Sequence, residues 1–356
     1  MTRRPGKASR TMQNPPVDDV AQNLPVTRDN PQTVSGALFD DSVSGLLAAV
    51  AVCTYERYDL LAECFDSLVA QTLPFDEFEI LVIDNSPDAT RSSEEARLYA
   101  HIPNLRWIHE KIPGLSNARN VAARETTAPI IAYIDDDAVP HPTWLRELLA
   151  AYDELGDEVY SIGGRVLPRF GQPRPPWLSD KLLAYLSVID LGHETRILRP
   201  GEWVAGANIS YRTPLLRAVG GFSPALGRIG SGIALMSNDE TELAERLSAR
   251  GGVTGYAGLA VVDHLVDPSR VRQDWFRRRM AWQAVSDYVR APGEQFARSE
   301  AAWLDLKRFF AQQPPHVRTQ RALVIEQADP SAMEWQLAAI YEAVISLLSG
   351  ISEADD

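Results

Sequence analysis

The 356-residue chain is 45% hydrophobic, enough apolar material for one large or two medium-sized domains with a substantial core. Its formal charge of −13 and pI near 5.0 argue against a general nucleic-acid surface, which needs a basic face, but leave room for one nucleotide held by a local cation or arginine. No stretch reaches the roughly 18 apolar residues of a membrane span, and Arg3, Arg4 and Lys7 have no apolar run behind them, so neither a transmembrane helix nor a signal peptide is expected and the chain reads as cytoplasmic.

Residues 1–45 are rich in Pro, Asn, Asp, Thr and Arg without hydrophobic period, and are expected as a disordered tail because they cannot bury enough surface to offset their ordering entropy. Order begins with the apolar run Leu46 to Cys53, of buried-strand type, followed by helical spacing through Leu60, Leu61, Phe65, Leu68 and Val69. A second strand, Glu79 to Ile83, ends at Asp84-Asn85-Ser86-Pro87. Then come a strand at Leu105–His109, a helix from Ser116 to Ala123, a strand from Ile130 to Ile134 and a helix from Pro142 to Tyr152. Strands alternating with helices imply an α/β domain, residues 46–265, around a mostly parallel sheet covered on both faces. Pro168 to Pro200 read as a loop-rich excursion, and 266–356 as a C-terminal helical region. The stretch from Trp335 to Leu348, interrupted by Glu342, reads as an amphipathic helix, so the C-terminal helices offer a surface for a homodimer. Cys53 and Cys64 lack zinc-site spacing and read as small core residues of a reducing compartment.

The residues with chemistry cluster at strand ends. Asp135-Asp136-Asp137 closes the apolar run Pro129–Ile134, and three adjacent carboxylates cannot be buried without compensation. They fit either a hard divalent cation in the crevice at the carboxyl end of a sheet, or a solvated turn ahead of a helix. Asp84 suits a ribose hydroxyl or a base N–H, and equally an Asx-type turn. In Gly114-Leu115-Ser116-Asn117-Ala118-Arg119-Asn120, Gly114 permits an unusual backbone angle, Ser116 can cap a helix, and Arg119 either points at phosphate or lies on a solvated face.

Taken in order, Val52-Cys53-Thr54-Tyr55-x-Arg57, Val82-Ile83-Asp84-Asn85-Ser86, Gly114-x-Ser116-x-Ala118-Arg119-Asn120 and Tyr133-Ile134-Asp135-Asp136-Asp137 resemble family 2 of the inverting glycosyltransferases, over roughly Val50 to His264. The resemblance implies the GT-A fold, a Rossmann-like doubly wound mixed sheet, here with a C-terminal helical extension. It also implies roles. Thr54, Glu56 and Asp84 would hold base and ribose with Arg119 nearby. Asp135 would lie by the ribose, and Asp136 would contact the sugar or support the metal site. Asp137 would bind Mn²⁺ or Mg²⁺, bridging the diphosphate.

Direct displacement with inversion needs a base for the acceptor hydroxyl. Asp239-Glu240 resembles the family's acidic pair at the start of a helix, with Glu240 matching the base and the reversed order leaving Asp239 open; acidic residues also favour any helix's first turn through its dipole. Trp203 to Ser210 resembles the segment shaping the sugar and acceptor pocket, where Gly206 allows close approach and Asn208 offers an amide. His264, in Val261-Val262-Asp263-His264, reads as following a strand and matches a histidine that ligates the metal in some GT-A enzymes. The arginines from Arg270 to Arg279 would close over the diphosphate or dock the helical tail. The Gln-x-x-Arg-Trp motif of processive members is missing, which points to transfer of single sugars.

The expected activity is therefore metal-assisted transfer from a nucleotide-diphosphate sugar, a UDP-sugar by preference, to a hydroxyl of a glycan, glycolipid or small natural product. A metal-dependent nucleotidyltransferase and a non-catalytic sugar-nucleotide or glycan-binding protein are the alternatives; the first would show a Gly-rich basic loop where Thr54-Tyr55-Glu56-Arg57 stands.

Overall fold

Strand β1 (Ala48–Thr54) alternates its side chains between two apolar layers, and this one strand shows why the sheet needs cover on both sides. Ala48, Val50 and Val52 pack with Leu61, Phe65 and Leu68 of helix α1 (Tyr58–Val69), whereas Ala49 and Ala51 face the opposite layer. The computed structural model describes residues 45–229, 235–291, 304, 311 and 323–352, so the expected N-terminal tail lies outside the described residues apart from Gly45.

The chain continues through β2 (Phe78–Asp84), α2 (Ala89–Leu98), β3 (Leu105–His109), α3 (Leu115–Glu125), β4 (Ile130–Asp135), β5 (Ala138–Pro140), α4 (Trp144–Leu155) and β6 (Val159–Phe170). It then forms α5 (Asp180–Leu183), β7 (Thr195–Ile197), β8 (Asn208–Arg212), α6 (Thr213–Ala218), α7 (Asp239–Ser248), β9 (Val253–Val266), α8 (Gln273–Arg290) and α9 (Pro330–Ser352). Strand order in the sheet is β3-β2-β1-β4-β8-β6-β9-β5, with β7 against β9. The β3-β2-β1-β4 half is parallel, β8 is antiparallel to both β4 and β6, and β6 runs parallel to β9. This is a mixed α/β sheet of GT-A type with a C-terminal helix.

Helices α1 and α4 cover one face, where Trp144, Leu145 and Leu148 are fully buried, and α3 and α7 cover the other. Burying each such side chain contributes about 1.5–3 kcal/mol. A third apolar cluster joins Trp177, Leu182 and Leu186 to Trp275, Phe276 and Met280 of α8 and Met333 and Leu337 of α9. The C-terminal helices thus pack on the same unit as the sheet, and the expected amphipathic helix is α9. No helix among the described residues is long and apolar enough to cross a membrane.

Three expectations change. The excursion from Pro168 to Pro200 begins inside β6 and contains α5 and β7, which adds a strand to β9. His264 lies within β9 rather than after a strand. Helix α2 stands where no helix was expected: Asp88 caps it by accepting from the Thr90 and Arg91 amides, and Ser92 is its only buried residue, so it lacks an apolar stripe to mark it.

Candidate active site

Parallel register sets the site's geometry. Thr54 lies opposite Asp84 on β2, and Cys53 opposite Asp135 on β4, so the chemistry-bearing ends of three strands share one rim. Behind Asp135 the chain turns sharply, sending Asp136 and Asp137 inward. Both are buried, whereas the Asp135 side chain is one-third exposed.

The triplet divides its work. Asp136 accepts from the Thr54 hydroxyl at 2.8 Å and from Arg57 at 2.8 Å. Burial, opposed by Arg57, pushes its carboxyl up to about 7. Asp137 accepts from the other arm of Arg57 at 2.6 Å and faces His264 Nε2 at 3.1 Å, with Arg270 at 3.9 Å. Burial would raise Asp137, but His264 foremost and then Arg57 and Arg270 hold it well below the usual carboxylate range. The Asp137 Oδ1 and His264 Nε2 atoms are close without hydrogen-bond geometry, and His264 Nδ1 is also without a partner. Asp135, Asp137 and His264 can each offer one ligand atom, all within 4.8 Å of one another. Two carboxylates and an imidazole with unsatisfied buried atoms fit a divalent cation.

Arg119 links this end of the site to the acidic pair. It is buried on α3, donates at 2.7 Å to Asp239 and 2.8 Å to Glu240, and lies 3.9 Å from Asp135. Its guanidinium stands 5.2 Å over the Phe222 ring. Gly206 faces this cluster: a Cβ there would collide with Glu240 Oε1 and Arg119 Nη2. Asp239 is buried and the Glu240 side chain 21% exposed. Burial and the neighbouring Glu240 charge push Asp239 up to about 7; burial also opposes ionisation of Glu240, but Arg119 and Asp239 hold its carboxyl below normal. The opposite directions favour the pair's shared proton on Asp239 over Glu240.

A cavity of about 1530 Å³ is lined by Thr54, Glu56, Arg119, Asp135, Asp136, Gly206, Asp239 and Glu240 among others, so eight of the expected residues share one space. Asp137 and His264 are buried and do not line it, but their ligand atoms lie within 4.8 Å of that of Asp135, which does. Glu56, at φ 55°, donates its backbone N–H to Ser86 Oγ. Asp84 is fully buried, accepting from the Tyr58 hydroxyl and the Ser86 amide. Asn208 is likewise fully buried. Its amide donates to the carbonyls of Arg165 and Ala260, and its oxygen accepts from Trp144 Nε1.

Gly114, at φ +133°, lets α3 start with its amide donated to Asn85 at 2.6 Å, and the loop ahead of α7 closes on this start through Leu115 N–H to Arg228 O and Ser116 Oγ to Leu226 O. Among the arginines after His264, Arg277 reaches Gln336 and the Ile325 carbonyl and so docks the tail, whereas Arg270, Arg278 and Arg279 line the cavity. Arg57, Arg228 and Tyr185 were given no role from sequence. Arg57 stood in the first motif, three residues past the strand end, but nothing local marked its clamp on two aspartates 79 and 80 positions away.

Residues 49–200 match the family model of glycosyl transferase family 2. The chain is 27% identical over 245 residues to the glucosyl-dolichyl phosphate glucuronosyltransferase of Haloferax volcanii, covering 68% of this chain and 76% of that protein. It is 27% identical over 229 residues to the validoxylamine A glucosyltransferase of Streptomyces hygroscopicus subsp. jinggangensis, covering 58% of this chain and 52% of that one. The chain thus spans about three quarters of the first relative and about half of the second. Among solved structures, a mannosyltransferase from Pyrobaculum calidifontis in complex with GDP-Man and Mn²⁺ superposes with a TM-score of 0.53 at 21% identity, covering 85% of this chain and 87% of that one.

Proposed function

From a chain that belongs to the family 2 glycosyltransferases and carries their GT-A fold, we propose a specific activity: transfer of one sugar, with inversion, from a nucleotide-diphosphate sugar to an acceptor hydroxyl. A UDP-sugar is the favoured donor, and the acceptor is a glycan, glycolipid or small natural product. The observation that carries the reading is one cavity lined by Asp135 and by the Asp239-Glu240 pair, with Arg119 between them and with Asp137 and His264 offering ligand atoms within 4.8 Å of Asp135.

A divalent cation, Mn²⁺ or Mg²⁺, on Asp135, Asp137 and His264 would supply the positive charge that stabilises a departing diphosphate. Arg57 holds Asp136 and Asp137 in place from the side of β1, and Thr54 fixes the second oxygen of Asp136. Glu240 is the base: ionised, bordering the cavity and positioned by Arg119, it takes the proton as the acceptor oxygen attacks the anomeric carbon and the bond from that carbon to the diphosphate breaks. Asp239, buried and holding its proton near neutrality, keeps Arg119 aligned. Thr54, Glu56, Asp84 and Asp135 form the nucleotide side, and Gly206 keeps the space over Arg119 and Glu240 open.

The test is thermal unfolding with UDP and with GDP, each with and without Mn²⁺; GDP is included because the mannosyltransferase of similar fold is bound to GDP-Man. A Mn²⁺-dependent rise with one nucleotide is expected, about 2.7 kcal/mol at a hundredfold excess over Kd. Glu240→Gln should retain that rise while losing transfer, and Asp239→Asn should retain part of the transfer. Full turnover by Glu240→Gln would remove Glu240 as base.

A further inference from the structure

On the side of the cavity facing α8, Asp267, Asp274 and Asp287 also line the wall, but three arginines there, Arg228, Arg270 and Arg279, lack a close carboxylate of their own among the described residues. Among the described residues Arg270 has only Asp137 as an ion-pair partner, at 3.9 Å, through an oxygen that Arg57 already holds at 2.6 Å. Arg228 makes no ion pair among the described residues; burial, and then the charge of Arg270 with Arg279 adding to it, push its guanidinium down to about 10 against the opposing charges of Asp135 and Asp137. Arg279 is 9% exposed, lies 5.7 Å from the Tyr185 ring, and leaves its Nη1 without a hydrogen-bond partner among the described residues. The carboxylates whose charge reaches Arg279 are Asp287 and Glu240. Asp287 is taken by Asn238 and Tyr341, and Glu240 by Arg119. A buried guanidinium with an unpaired arm, on a residue that lines the cavity, is costly to keep unless an anion completes it, and phosphate suits its fork.

We propose that Arg279, with Arg228, forms a subsite for a phosphate group carried by the acceptor, separate from the seat of the donor diphosphate at Asp135, Asp137 and His264. This rests on the transfer reading above. Two features favour the acceptor over the donor as the source. Arg279 lies within electrostatic reach of Glu240, the base beside which the acceptor hydroxyl must stand. The cavity, about 1530 Å³, also exceeds the roughly 300–1,000 Å³ that one small ligand occupies, so donor and acceptor fit together. An acceptor with a phosphate near its reactive hydroxyl, such as a sugar phosphate or a phosphate-linked lipid, has the required chemistry.

The probe is inorganic phosphate, titrated by thermal unfolding first in EDTA and then with saturating UDP and Mn²⁺ present. Phosphate should raise the melting temperature in both conditions. Arg279→Gln should weaken phosphate by about tenfold or more, the worth of one charge-assisted bond, while keeping the UDP–Mn²⁺ response. Arg228→Gln gives an independent reading with the same expected loss. A phosphate response that disappears once UDP and Mn²⁺ are bound assigns these arginines to the donor diphosphate and overturns the proposal. So does phosphate affinity unchanged in both variants, or no phosphate response at all. If the wild-type protein answers neither UDP nor GDP with Mn²⁺, the donor reading fails and the proposal falls with it; a nucleotide response without a phosphate response sinks the subsite alone.

Discussion

Removing the cation at the centre of the site gives the sharpest test of how its carboxylates are held. In Arg119→Met the side chain keeps much of its length and loses its charge. The variant loses the 2.7 Å and 2.8 Å bonds to Asp239 and Glu240 and the 3.9 Å approach to Asp135. Breaking a buried ion pair by deleting one partner costs about 3–5 kcal/mol, because the other partner stays desolvated. At roughly 2–4 °C per kcal/mol, the melting temperature should fall by roughly 6–20 °C at pH 8. The pH dependence follows from the sign of the shifts. Asp239 is already held up to about 7 by burial and Glu240, and without Arg119 Glu240 also loses what keeps its carboxyl low. A carboxyl whose folded pKa lies above its unfolded value destabilises the protein once pH rises through that folded pKa, and not below the unfolded one. The deficit of Arg119→Met should therefore be largest at pH 8 and shrink towards pH 5. Unfolding followed by fluorescence across pH 5–8 for both proteins measures it. Arg119→Lys, which keeps the charge but not the fork, should show an intermediate deficit with weaker pH dependence. A deficit for Arg119→Met that is flat in pH, or absent at pH 8, would refute the view that Arg119 neutralises the acidic pair.

Two substitutions separate shape from charge. Gly206→Ala places a methyl against Glu240 Oε1 and Arg119 Nη2, so it should cost about 1–3 kcal/mol of stability and lower kcat by more than it raises KM for the donor; unchanged kcat would mean that Glu240 tolerates displacement. Asn208→Ala strands Trp144 Nε1 and two backbone carbonyls in the core, so a loss of about 2–4 kcal/mol is expected in denaturant unfolding with donor KM unaltered, whereas a raised KM at full stability would place the Asn208 amide in the donor pocket.

Much of the fold was legible because the parallel half of the sheet is buried on both faces and so writes itself as continuous apolar runs. Leu46 to Cys53, Glu79 to Ile83 and Ile130 to Ile134 each became a strand within a residue or two of their expected ends. The antiparallel half did not announce itself. β6 carries Gly163, Gly164 and Pro168, β5 and β7 have three residues each, and short or Gly-containing strands owe their pairing to neighbours distant in sequence. Helix α2 was invisible for the complementary reason, since its stability comes from the Asp88 cap and a polar surface rather than a buried stripe.

The site divides along the same line. The aspartate triplet could be found because charge adjacent to a buried run is a local contradiction that only a ligand, a partner or water can resolve. What resolves it is not local: Arg57 reaches Asp137 across 80 positions, and Arg119 reaches Asp239 across 120. Sequence types alone left Arg119 suspended between a phosphate contact and a solvated face; it is buried, so not on a solvated face, and two carboxylates take one arm of its fork while the residue still lines the cavity. Asn208 makes the same point in reverse. An amide beside a glycine bend suggested a hand for a sugar, yet its donors and its acceptor are spent on β6, β9 and α4, a fact carried by the carbonyls of Arg165 and Ala260 and not by any residue near it. Charges that find partners within the fold are fixed in place by them, Glu240 by Arg119 among these, whereas His264 Nε2, Asp137 Oδ1 and Arg279 Nη1 are buried atoms that the described residues leave without a hydrogen-bond partner.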